Sequence, residues 1–140
     1  LGMMVSGFPN LLMPSGPQSG SASTNYPRGI ENGVDWCTEL LEYMWERDLT
    51  YLEATKEAEK RWTDHVVKMY SVMLMRKAQS WFTGYNSNVE GHEAGKVRYM
   101  VYNGGTPKYV ASISEVASKD YEGIRFAADA EDRGELLAAD

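Results

Sequence analysis

One cysteine and two histidines are all that 140 residues provide, and that scarcity narrows the chemistry the chain can hold. A lone Cys37 cannot close an internal disulfide, which fits a reducing compartment such as the cytoplasm. His65 and His92 have no second His or Cys at ligand spacing, so no metal site is expected. No stretch of about 18 apolar residues is available to span a bilayer. The longest candidate, Leu1 to Met13, is broken by Gly2, Gly7 and Pro9, and it lacks the flanks of a signal peptide. Neither G-x-G-x-x-G nor GK[ST] is present, so there is no phosphate fingerprint. No Ser/His/Asp set, paired carboxylate acid or activated Cys can be assembled, which leaves no catalytic residue and no hydrolase. A net charge of −6 argues against nucleic acid or an anionic membrane as partner.

What remains is an ordinary globular composition, 43% hydrophobic and 24% charged, at the usual length of one domain. The chain opens with Leu1 inside an apolar stretch and without Met, so further residues are expected upstream.

Local patterns suggest a mixed α/β fold. Phe8 to Ser15 is short and apolar enough for a buried strand. Gly16 to Thr24, rich in Gly, Pro and Ser, reads as a loop. A helix should start near Asn25, a good N-cap, with Pro27 in its first turn. Ile30, Val34, Cys37, Leu41, Met44 and Trp45 give it an apolar stripe through about residue 47. Gly29 and Gly33 each weaken that helix, which implies that something packs close against its backbone. A second helix is expected from Thr55 to about Met75, with Ala58, Trp62, Val66, Met69 and Met73 buried and Arg76 and Lys77 closing its last turn. Ser80 to Gly95 lacks periodicity, and loops of that length in compact domains are usually functional or disordered. Val97 to Tyr102 reads as a strand. Thr106 and Pro107 then cap and open a third helix through about Lys119. Gly123 precedes a short strand at Ile124 to Phe126, and the acidic stretch that follows reads as a solvated terminus or a short frayed helix.

Two places could carry function. The Gly-rich loop from Ser15 to Asn25 leads into a helix, whose N-terminus carries partial positive charge. That arrangement suits a flavin edge that gains negative charge on reduction, but a plain strand-to-helix connection is the commoner meaning of such a loop. Trp81 offers a broad apolar face and one N–H donor, suited to covering a nucleotide. The alternative for Trp81 is a half-buried anchor that fixes its loop. Cys37, on an apolar helical face, is most simply a small buried hydrophobe.

The blocks Phe8-Pro9-Asn10 to Gly16-Pro17, Gln79 to Asn86 and Tyr102 to Gly105, in that order, resemble the C-terminal part of Baeyer–Villiger monooxygenases. The likeness covers residues 1 to about 126. It implies the end of a flavoprotein with two dinucleotide-binding domains, using FAD and NADP with molecular oxygen to convert a ketone to an ester or lactone. Residues 1–54 would end the FAD domain, 55–127 would form a C-terminal segment, and 128–140 would be a disordered acidic tail. The N-terminal FAD and NADP domains would be missing, so this segment alone should be inactive. The resemblance places Gly16, Pro17, Thr24, Asn25 and Tyr26 at the flavin, with Ser21, Ala22, Ser23 and Tyr26 on the substrate side. It places Trp81 against NADP and substrate and Lys96 at a basic NADP position. Gln18 and Ser19 receive no role. Tyr26 stands where the family often has an aliphatic residue or Met. The longer Ser87 to Ala94 loop looks more like members that accept bulky cyclic or steroidal ketones. Two rivals stand beside this reading. One is an N- or S-oxygenating flavoprotein of the same class, expected to lack the Ser80 to Gly105 block; the other is a small non-catalytic acidic interaction domain.

Overall fold

Asn25 and Pro27 start the first helix where the capping rules place it. The computed structural model of the chain describes residues 1–20, 25–90, 99–129 and 131–134. Helix α1 runs Tyr26–Trp45, and the Asn25 side chain accepts a hydrogen bond from the Arg28 N–H at 3.3 Å. Strand β1 (Tyr51–Ala54) and helix α2 (Lys56–Tyr70) follow, with Thr55 Oγ1 accepting from the Ala58 N–H at 3.1 Å. Two 3-10 turns, Leu74–Lys77 and Trp81–Thr83, lead to helix α3 (Thr106–Ser118) and strand β2 (Ile124–Ala127). The mixed α and β character expected from the pattern is what forms.

The two strands pair antiparallel, Tyr51 opposite Ala127 and Ala54 opposite Ile124. A two-stranded ribbon is marginal in water and needs outside support. Glu53 supplies part of it. Only 5% exposed, its carboxylate accepts from the Gly7 N–H at 2.6 Å and from the Tyr51 hydroxyl, and the Arg125 guanidinium lies 3.6 Å away. Asn10 supports the other side of β1. Its N–H donates to the Leu52 carbonyl and its Oδ1 accepts from the Leu52 N–H, each at 3.0 Å.

The core lies between α1, α2 and α3. Trp36, Cys37 and Leu40 of α1 meet Tyr109 and Ile113 of α3 and Val66 and Tyr70 of α2. The Trp36 indole N–H donates to the Ile113 carbonyl at 2.9 Å, so this buried ring leaves no polar atom without a partner. Tyr121 stands edge-on to Trp36 at 5.4 Å and closes the end of the core.

Several expectations need correction. Phe8 to Ser15 is not a strand. Asn10 takes φ 57°, and the segment makes isolated bonds, such as Met13 N–H to the Met3 carbonyl at 2.8 Å, instead of a ladder. Of Val97 to Tyr102, residues 97 and 98 lie outside the described set, and 99–102 are irregular. β1, which the pattern did not suggest, takes the place of these strands. Helix α2 stops at Tyr70 and not near Met75, with Ser71 as its C-cap, and Met75 reaches the core from the 3-10 turn that follows. Val72 and Leu74 beyond it are exposed, and packing is what sustains most helices. Arg76 and Lys77 close the first 3-10 turn instead. Gly105, at φ 82°, takes the cap position of α3, and Thr106 is its first helical residue. The buried stripe of α1 is also rotated from the expected one. Gly29, Gly33, Trp36, Cys37, Leu40 and Met44 face the core, whereas Val34, Leu41 and Trp45 face water, Trp45 at 86% exposure. The glycines explain the choice of face, since a Cβ on Gly33 would run into the Pro14 carbonyl. Residues 131–134 form a helical turn, and Asp129 Oδ1 accepts from the N–H groups of Glu131 and Asp132.

Two predictions follow from this packing. Gly33→Ala should destabilise the protein by about 1–3 kcal/mol through overpacking, whereas Gly134→Ala, which meets nothing within 4 Å, should be near neutral. Thermal or urea melts of the two variants check this. Burial also pushes the Cys37 thiol up to about 11 from an ordinary value of 9.0. The unfolded chain therefore gives up that proton first, and stability should fall as pH rises through this window. The decline, followed by urea midpoints, should be shallower in Cys37→Ala.

Candidate cofactor-facing site

Residues 13–20 make two successive tight bends ahead of α1. The Gly16 N–H donates to the Met13 carbonyl at 3.0 Å and the Ser19 N–H to the Gly16 carbonyl at 3.1 Å. Gly16 lies so close to the Gly2 carbonyl that a Cβ would collide with it, while Pro17 faces solvent. Ser21, Ala22, Ser23 and Thr24 lie outside the described residues. Asn25 caps α1, and Tyr26 opens it half in solvent, its hydroxyl accepting from Ser15 Oγ at 3.1 Å. The first turn of α1 carries no acidic side chain, and residues 25–28 are all exposed. The positive end of the helix dipole therefore faces open solvent.

Trp81 sits on a turn that stabilises itself. Ser80 Oγ accepts from the Phe82 N–H at 3.3 Å, and the Ser80 N–H donates back to Thr83 Oγ1 at 3.4 Å, a reciprocal capping box. The buried Thr83 hydroxyl also reaches the Ser80 and Ala78 carbonyls, at 2.7 and 3.3 Å. Gly84 ends the turn at φ 78°, its N–H donating to the Trp81 carbonyl at 3.0 Å. The result is a turn held by hydrogen bonds, with an indole that is 67% exposed and stacks on Phe82 at 4.1 Å. Trp81 is therefore not a half-buried anchor. Lys96 lies outside the described residues.

The connection between these two places was not legible from the sequence. Gln18, at φ 65°, donates its N–H to the Met100 carbonyl at 2.8 Å and its side-chain Nε2 to the Tyr99 carbonyl at 3.1 Å. Its Oε1 accepts from the Thr63 hydroxyl and its carbonyl from the Trp62 indole N–H, both at 3.2 Å. Met100 in turn donates its N–H to the Phe82 carbonyl at 2.9 Å. Behind this seam, Trp62 stacks on Tyr102 at 5.2 Å and Tyr70 on Tyr99 at 4.2 Å. The sole advance sign was a polar residue between Pro17 and Ser19, a setting that many surface loops share.

Chemically, the site offers backbone amides, a helix terminus and an apolar face. Among the described residues, no cluster of His, Cys, Asp or Glu could hold a metal ion. No helix among them is long and apolar enough to cross a membrane.

No protein-family model matches the chain. Individual proteins do. Phenazine N-monooxygenase PhzNO1 of Lysobacter antibioticus is 37% identical over 124 residues, 89% of this chain and 22% of that protein. Cyclohexanone 1,2-monooxygenase of an Acinetobacter species is 35% identical over 124 residues, with the same shares, 89% and 22%. The crystal structure of OTEMO in complex with FAD and NADP superposes with a TM-score of 0.76 at 30% identity, covering 90% of this chain and 22% of that one. The chain is thus homologous to one stretch of Baeyer–Villiger and related flavin monooxygenases, and it spans 22% of the length of these relatives. The phenazine enzyme corrects one expectation: an N-oxygenating relative aligns across nearly the whole segment, so the Ser80 to Gly105 block does not by itself separate ketone from nitrogen oxidation.

Replacing Trp81 by Ala should leave stability within about 0.5 kcal/mol of wild type, as for other exposed positions. Thr83→Ala should loosen the turn by about 1 kcal/mol, the usual worth of a hydrogen bond. Amide exchange at residues 80–85 should rise in the second variant and not in the first.

Proposed function

Starting from its homology to one stretch of the Baeyer–Villiger monooxygenases, we propose that the protein is part of an FAD- and NADPH-dependent enzyme that inserts oxygen beside a ketone carbonyl. The overall reaction is ketone + NADPH + H⁺ + O₂ giving ester or lactone + NADP⁺ + H₂O. The observation that carries this reading is the fixed turn presenting an exposed Trp81, joined by hydrogen bonds to a bend ahead of an acid-free helix terminus. In the whole enzyme, the FAD and NADP domains that complete the site would come from the polypeptide outside this segment. Residues 1–54 would close the FAD domain and 55–127 would form the C-terminal part, with 128–140 as an acidic tail.

The bend before α1 and the exposed amino end of that helix support an isoalloxazine as the bound group. Gly16 and Pro17 put backbone before the α1 terminus, while the Gln18 side chain is turned onto Tyr99 and Thr63. When bound, the flavin supplies the redox chemistry, passing electrons from NADPH to oxygen. The protein groups do the rest. The amino end of α1, with Asn25 and Tyr26, would offer positive potential where the flavin gains negative charge, and Thr24 would join them at the flavin. Ser21, Ala22, Ser23 and Tyr26 would shape the ketone side of the pocket, and the Tyr26 ring would make it narrower than an aliphatic residue does. Trp81 would lie over NADP and exclude water, and Lys96 would meet its negative charge. Closure over a reactive centre prevents wasteful side reactions. The long Ser87 to Ala94 loop supports bulky cyclic or steroidal ketones as the substrate class, and the lone buried Cys37 suits the cytoplasm.

Nitrogen oxidation is the second reading, favoured by the 37% identity to the phenazine enzyme. The cyclopentanone and cyclohexanone 1,2-monooxygenases at 33% and 35% weigh toward ketones.

The intact polypeptide should be yellow and should convert cyclic ketones to lactones with NADPH. Purification without flavin, or products oxygenated only at nitrogen, would reject the ketone reading. In that enzyme, Trp81→Ala should lower product formed per NADPH while FAD stays bound; unchanged coupling would remove the proposed role of the indole.

A further inference from the structure

Gln18 lies in the bend ahead of α1 but has no role in the proposed chemistry, yet it bonds to two segments distant in sequence. Its amide and backbone reach residues 62 and 63 of α2 and residues 99 and 100, and Met100 reaches Phe82 beside Trp81. Holding a non-glycine residue at φ 65° is unfavourable unless its surroundings over-determine it. Here they do. The left-handed backbone lets the Gln18 N–H meet Met100 while its carbonyl receives the Trp62 indole, and the side chain spans Tyr99 and Thr63. An amide matches this setting because one group must donate to a carbonyl while the other accepts from a hydroxyl. Neither Glu nor Leu can do both.

We propose that Gln18 is the positioning residue that sets the Trp81 turn in register with the bend before α1. The path is short and consists of two backbone hydrogen bonds: the Gln18 N–H to the Met100 carbonyl at 2.8 Å, then the Met100 N–H to the Phe82 carbonyl at 2.9 Å. The side-chain bond to Tyr99 keeps that two-residue segment from sliding. Gln18 touches neither reactant. It acts by holding the indole and the flavin-facing backbone in one relative placement, and sub-ångström placement has large effects on reaction and on water exclusion. The proposal rests on the monooxygenase reading above.

The test uses the intact flavoenzyme. Gln18→Leu keeps the backbone bonds and removes both side-chain bonds; Thr63→Val removes one of them. Gln18→Leu should lower ester formed per NADPH by about tenfold, the balance appearing as hydrogen peroxide from NADPH + H⁺ + O₂. FAD content should stay at the wild-type value, the thermal midpoint should drop only modestly for the two lost hydrogen bonds, and the KM for NADPH should rise. Gln18→Glu, which sets a carboxylate against the Tyr99 carbonyl, should uncouple further still, and Thr63→Val less. Wild-type coupling in Gln18→Leu would overturn the proposal, as would losses of activity that merely track lost FAD or lower melting in all three variants. The wild-type control separates the two ideas: a colourless intact protein defeats the monooxygenase reading itself, whereas a yellow, coupled wild type beside an equally coupled Gln18→Leu defeats only the role of Gln18.

Discussion

The backbone of residues 13–20 is pressed against α1 and against the first residues of the chain with no room for another methyl group. Pro14 lies on Gly33, Gly16 lies on the Gly2 carbonyl, and Gly20 lies on the Tyr109 ring. Everything proposed for the site depends on that contact. It fixes where the bend ends and so where the amino end of α1 points. It also explains why α1 buries its glycine-bearing face and turns an equally apolar one outward. Helix and loop are specified together, because neither could keep its place if the other moved by the width of a carbon atom.

The second support is polar. A carboxylate as buried as Glu53 is costly unless its partners meet it, and here a backbone amide, a phenol and a guanidinium converge on it. These come from the N-terminal segment, β1 and β2, so one side chain ties together three pieces distant in sequence. The same residue hid β1 from the sequence. Tyr-Leu-Glu-Ala reads as a short stretch interrupted by a charge, and nothing local shows that the charge is satisfied indoors. Phe8 to Ser15 misleads in the opposite way, being apolar enough for a strand but lacking a neighbour to form a ladder with.

What could be read from the chain was mostly what local chemistry decides. Asn25 with Pro27, Thr55, and Gly123 before Ile124 set boundaries through caps and turns, and these stand close to where they were expected. The face of α1 was misjudged because two apolar stripes overlap on one helix and only the partner chooses between them. Trp81 stood out because an indole between Ser and Gly is conspicuous; its outward pose follows from Ser80, Thr83 and Gly84, all visible in the sequence. Gln18 stayed hidden. Its importance comes from four bonds to distant segments, and no spacing rule anticipates them.

The outward stripe of α1 has a practical meaning. Val34, Leu41 and Trp45 present a band of oily surface to water, and bands of that kind favour adhesion. Cut to this length, the polypeptide should be sticky in the test tube. Experiments on a polypeptide of these residues alone would have to contend with clumping on that band.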